Sequence, residues 1–295
     1  MQNYPLFHEV NPKYDNTNLN EIPKSILYTD TTNGYIFTGA STGEASLKRA
    51  LDTLFNHPNV GPFIGRQLIQ RLVTDNPSPA YISRVAAAFN NNGQGVRGDM
   101  KAVIKAVIAD TEALSQSTAV TTGKLREPVI RLANWMRAFH ASSASGKFLV
   151  GRTDDPLRSL SQTPMRASTV FNFYRPEYQA PNTSLTSSSL FSPEMQITDE
   201  ISTFGYLDYM RDAVPSGVGT NREVKADYSP ELALASTPDL LLDRISLLLL
   251  QNNMTTTLRN QIKAAFASNT NNSAANKVNL AVFLTMVSPE YITQK

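Results

Sequence analysis

Side chains able to do chemistry are few in this chain, and most of them sit beside prolines. Glu127 precedes Pro128 and Glu194 follows Pro193. Two carboxylic acids are what a glycosidase needs, one as general acid and one as base or nucleophile. With Arg175 they form the catalytic candidates for a hydrolase or other enzyme acting on an extracellular polymer or glycan. Such chemistry requires a set carboxyl separation and one raised pKa, and sequence spacing supplies neither. Acids at helix starts also interact favourably with the helix dipole, which gives both glutamates a structural use. The histidines are His8, His57 and His140, no two of them four residues apart, so a helical histidine zinc pair is absent. His57, before Pro58, is explained by a helix-end contact. The acidic and amide residues from Asp15 to Glu21 fail the calcium-loop spacing, with Thr17 and Leu19 at ligand positions. The chain has no cysteine, which removes disulfides, thiolate metal sites and cysteine nucleophiles. Nucleophile-elbow, phosphate-loop and dinucleotide glycine patterns are also missing. These residues point to no metal and identify no cofactor.

A binding set is easier to assemble. Guanidinium forks grip carboxylates in bidentate fashion, and aromatic faces stack on sugars or cations. Arg66, Arg126, Phe173, Tyr174 and Arg175 are the candidates, with Tyr174 and Arg175 expected to be exposed. Arginines and glutamates at loop anchors also commonly pair with each other, because a buried charge needs a partner.

Most of these candidates lie in or beside the stretch Gln162 to Glu200, which carries Phe171, Phe173, Tyr174, Tyr178 and Phe191 among its prolines. Neither a helical nor an alternating period runs through it. Irregular segments of this length are commonly functional or disordered, and so many rings argue against disorder. The expectation is an ordered aromatic loop over 162–193, pinned to a helical body.

The elements that hold it are read from apolar periodicity. Helices are predicted from Ser46 to His57, Pro62 to Val73, Pro79 to Asn90 with Ser78 as N-cap, and Arg97 to Leu114. A polar linker, Ser115 to Gly123, separates these from a helix over 127–140 with Trp135 at its flank. A further helix is expected from Glu194 to Ala213, and Pro215 to Tyr228 reads as a surface excursion. Short β-prone runs at 26–29 and 35–38, around Asn33-Gly34, predict one hairpin. The helices Phe63–Val73, Tyr81–Phe89 and Met100–Leu114 align in order with Leu241–Gln251, Leu258–Phe266 and Val278–Ile292, at an offset that shifts by one residue. This suggests a duplicated three-helix unit.

The predicted class is therefore mainly α: a multi-helix array with a candidate duplication, one short hairpin and the long loop. Residues 1–45 form an N-terminal loop and hairpin segment. Residues 46–295 form a helical domain, with three-helix units at about 60–114 and 238–292 flanking helix 127–140, loop 162–193 and helix 194–213. Twenty-seven basic against 25 acidic residues leave a net charge of +2 with no long single-sign run, which argues against a nucleic-acid partner. The apolar run Leu240 to Leu250 is about half the ~20 residues a membrane span needs, and reads as a buried helix. The start, MQNYPLFHEV, has no signal-peptide pattern.

Several segments carry a resemblance. HPNVGPFIGRQLIQRLVTDNPSPAYISRVAAAF, GDMKAVIKAVIADTE, KLREPV, QTPMRASTVFNFYRPEY, SPEMQITDE and the ending SPEYITQK resemble, in this order, the bacterial domain of unknown function 1800 family. The match covers most of the chain from about Leu47 onward. Ala167-Ser168-Thr169 departs from the Ala-Pro-Ser usual in that family. The resemblance implies the C-terminal half to two thirds of an exported protein, periplasmic or extracellular, with a protein partner encoded nearby. It supplies no chemistry. The leading functional expectation is binding or assembly through the aromatic loop, and the alternative is the hydrolase.

Overall fold

The computed structural model describes residues 43–115, 122–170, 172–269 and 273–294. The expected hairpin, the candidate calcium loop, His8 and Phe171 lie outside the described residues. Thirteen α-helices and four two-residue strands are described, so the protein is mainly helical. Among these helices none is long and apolar enough to cross a membrane.

The chain divides into two compact units. The first contains α1 (Gly43–Asn56), the beginning of α2 (Val60–Leu72), α3 (Pro79–Asn90) and α4 (Met100–Ile108). Tyr81, Val85, Phe89, Val103 and Val107 are its buried contacts, and the Tyr81 hydroxyl donates to the Val107 carbonyl. Arg97 closes the unit. Its guanidinium lies 5.5 Å from the Phe55 ring centre and 4.9 Å from that of Phe89, and donates to the carbonyls of Phe55 and His57. Gly98 has φ +75°, and a Cβ there would stand 2.6 Å from the Phe55 ring. The helix predicted from Arg97 to Leu114 is two pieces. Asp99 caps α4 through the Lys101 and Ala102 amides, and Asp110 caps a separate α5 (Thr111–Leu114). Each aspartate carboxylate accepts from amides that the new helix start leaves without an intrahelical partner.

The second unit contains the end of α2 and everything from Asp110. In order it has β1 (Lys124–Leu125), α6 (Pro128–Ala138), β2 (Ser142–Ser143), α7 (Ser184–Ser187), a 3-10 helix at Pro193–Ile197, α8 (Glu200–Ser216), β3 (Val224–Lys225), α9 (Ser229–Leu234), α10 (Pro238–Leu250), α11 (Thr256–Ser268), α12 (Ala274–Met286), α13 (Pro289–Ile292) and β4 (Thr293–Gln294). Helix α10 is the predicted buried helix, with Leu241, Leu242, Ile245 and Leu249 in the core. It packs on α12, α9 and α6. Antiparallel pairing sets Lys124 opposite Gln294 and Leu125 opposite Thr293, so the C-terminal strand holds β1 in place.

Three expectations change here. Trp135, expected at a flank, is fully buried and its indole N–H donates to the Tyr228 hydroxyl at 2.8 Å. The helix expected from Glu194 is a 3-10 turn followed by α8, because Asp199 and Ser202 form a reciprocal cap that starts a new helix. The excursion after Pro215 buries Val218 and Val224, which bond to each other through both backbone amides.

Candidate functional site

The long loop is anchored in the second unit by the residues that end α2. Arg71 lies over the Tyr174 ring, 4.6 Å from its centre. The Asn76 side chain brackets Phe191 on both sides: its Nδ2 donates to the Phe191 carbonyl at 2.9 Å, and its Oδ1 accepts the Phe191 amide at 2.8 Å. Within the loop, the Ser192 amide donates to the Tyr178 carbonyl at 2.8 Å and the Ala180 amide to Ser192 Oγ at 3.2 Å. Of the loop's rings, that of Tyr174 makes such a contact, whereas Tyr178 and Phe191 are held here through their backbone atoms.

Below these contacts lies a buried charged cluster. β1 places Lys124 Nζ 2.6 Å from Glu194 Oε1, and the same ammonium donates to the carbonyls of Gln70 at 2.8 Å and Arg71 at 3.2 Å. An ammonium has three protons, so its capacity is used. Glu194 is 1% exposed and Asp75 4% exposed. Glu194 Oε2 and Asp75 Oδ1 are buried without a donor from the protein's amides, hydroxyls or cations. Burial, then the Glu194 charge, push Asp75 up to about 8, against the pull of Lys124 and Arg71.

Tyr174 was expected to be exposed and is instead 1% exposed. The stacking of Arg71 on one face and closure by the loop explain the difference. Burial, then the Glu194 charge, then the Glu127 carboxylate beside it all push the Tyr174 hydroxyl's pKa upward. Glu127 stands at the N-cap position of α6 but does not cap it; its Oε2 accepts from Gln162 Nε2 at 2.6 Å. The structure therefore brings Glu127, Glu194 and Tyr174 together. Arg175 is exposed, and its backbone amide donates to Gln196 Oε1 at 2.8 Å.

The other binding candidates lie elsewhere. Phe173 is half-buried. Arg66 is half-buried on the part of α2 that belongs to the first unit. Arg126 stacks 4.6 Å from the Tyr291 ring centre and lines a groove of about 390 Å³ with Leu249, Gln251, Asn253 and Glu290. Two large apolar side chains of the loop are turned outward: Met165 and Val170 are 102% and 97% exposed. Met165 also sits at φ +62°, a left-handed conformation uncommon for a long side chain.

Sequence reasoning missed Asp75 and Lys124. The one signal available was that each is a charged residue inside a motif segment, Asp75 directly after an apolar helix and Lys124 directly before a helix proline turn. The His57 side chain accepts the Asn59 amide through Nδ1 at 3.2 Å, a contact just before α2 and not with a carbonyl at the end of α1. Among the described residues no group of three His, Cys, Asp or Glu side chains is placed to hold a metal ion.

The family described as "Protein of unknown function (DUF1800)" matches residues 9–293 of the chain. No curated protein and no solved structure gives a significant match.

Proposed function

Since the chain belongs to the DUF1800 family of proteins of unknown function, we propose that it acts by binding or assembly, docking a protein partner on the outward side of the loop. The reading rests mainly on Met165. Its long apolar side chain is fully exposed and its backbone is held left-handed. Such conformations cost of order 1–3 kcal/mol and cluster where a segment has a task. Val170 adds a second exposed apolar side chain, and Arg166 and Arg175 supply the cations common at interfaces. The partner is a protein, because aliphatic tips with arginines beside them suit a polypeptide surface better than a nucleic acid. The resemblance adds that the protein works outside the cytoplasm, with a partner encoded nearby.

The hydrolase reading is weaker. Glu194 is sealed from solvent and paired with Lys124, whereas a glycan must reach both carboxyls. Photo-cross-linking residues placed at Met165 and Val170 in the native host test the docking reading. A discrete adduct is expected from both positions and none from Leu247, another exposed apolar side chain, at 54%. Absence of adducts, or equal labelling from Leu247, would overturn it.

A further inference from the structure

Arg131 of α6 is a cation taken out of water without an anion beside it. The residue is 5% exposed, and its Nη2 is buried with no acceptor. The guanidinium is held from two sides. Its Nε donates to the Arg126 carbonyl at 2.7 Å, and the group lies 4.8 Å from the centre of the Tyr206 ring. That ring is fixed in turn, its hydroxyl donating to the Met286 carbonyl at 3.0 Å. Among the described residues no carboxylate pairs with Arg131 or with Arg126, whose Nη1 is also buried without an acceptor. A buried charge is costly unless it is paired.

Arg131 also lines a cavity of about 70 Å³ beside the start of α8. A water needs roughly 10–15 Å³ of such space, so the cavity admits a ligand of about five heavy atoms. Its walls are mostly aliphatic, with Leu160, Ile197, Leu207, Val287 and Ile292. Most of its hydroxyls are spent. Those of Thr198 and Ser202 donate to the carbonyls of Glu194 and Asp199 at 3.0 and 3.2 Å, and that of Tyr206 donates to Met286. Phosphate or sulfate would need donors on several sides, whereas a carboxylate is served by one guanidinium fork. We propose that the cavity binds a small aliphatic monocarboxylate, of the acetate or propionate class, its carboxylate on the Arg131 guanidinium and its alkyl end against the aliphatic walls. Thr203, exposed on α8, stands at the rim. The site uses neither Met165 nor Val170, and is independent of docking by the loop.

Titration calorimetry of the protein with sodium propionate tests the site, with sodium chloride and sodium phosphate run alongside at equal ionic strength. Saturable binding of propionate is expected, and no saturable heat from either inorganic salt. Arg131→Lys keeps the charge but loses the fork, and should weaken propionate binding by about tenfold or more. Thr203→Phe places a ring at the rim from an exposed position, where substitution is ordinarily tolerated. It should abolish binding while the circular dichroism stays that of wild type. Absence of saturable propionate binding overturns the proposal. So does binding of chloride or phosphate as tight as that of propionate, or propionate binding unchanged by Thr203→Phe. If Arg131→Lys does not fold, Thr203→Phe decides alone.

Discussion

At the residue scale the stakes are highest at Lys124. Taking an ammonium and a carboxylate out of water costs several kcal/mol for each, recovered only through close pairing. Lys124 and Glu194 are both almost fully buried and 2.6 Å apart. Lys124→Met should therefore destabilise the protein by about 3–5 kcal/mol, the usual penalty for leaving a buried charge alone. The double variant Lys124→Met with Glu194→Met should recover most of that loss, because the two paired charges leave together and neither is stranded without the other. Urea denaturation of the three proteins checks this, and a double variant no better than the single would show that the pair itself is required. Asp75 belongs to the same arithmetic. As its folded pKa is raised to about 8 from an ordinary 3.8, its burial erodes stability progressively as pH rises through that interval. Wild type should accordingly lose stability relative to Asp75→Asn between about pH 4 and pH 8, measured as the urea midpoint of each at matched pH.

At the element scale, caps and close approaches decide where helices start and how they sit. Gly205 lies inside α8 where a Cβ would fall on the Pro156 carbonyl. Alanine in place of a helical glycine ordinarily gains about 1 kcal/mol. Overpacking against backbone costs about 1–3 kcal/mol and wins here. Gly205→Ala is expected to lower the melting temperature, and a rise would show that the 156–157 backbone moves aside freely. Thr255 caps α11 through the Leu258 amide and also donates to Glu290 at 2.6 Å. Thr255→Ala should cost about 1 kcal/mol in the same assay. The aligned helices show how far an offset in sequence reaches. Tyr81, Val85 and Phe89 are buried, and so are their counterparts Leu258, Ile262 and Phe266. Met100, Ile104 and Ile108 are exposed, whereas Val278, Val282 and Met286 are fully covered. Helix α12 has α8, α10 and α9 against it, and burial is set by such neighbours rather than by residue type.

At the largest scale described, the second unit holds a loop with the Tyr174 ring buried and the Met165 and Val170 side chains exposed. Substitution at exposed positions usually changes stability by less than about 0.5 kcal/mol. The variant Met165→Ser with Val170→Ser should therefore melt like wild type while losing its cross-linked partner in the host. A fall in melting temperature would show instead that these side chains serve the fold. The near balance of charge, +2 over the chain, fits a partner recognised through shape and apolar contact rather than through a strong field.

Much of this was legible in the residues alone. Apolar periodicity located the helices, since one face of each must leave water, and Leu240–Leu250 was recognisable as buried from its composition. The absence of cysteine and the separation of the histidines closed off whole classes of chemistry. What only the tertiary structure decided was direction and partnership. Tyr174 faces inward because Arg71, about a hundred residues earlier in sequence, stacks on it. Asp75, Lys124 and Glu194 meet although no spacing links them. Periodicity reports which face of an element is dry, but a buried charge is tolerated only where distant segments bring its counter-charge and donors, and that convergence is a property of the folded chain.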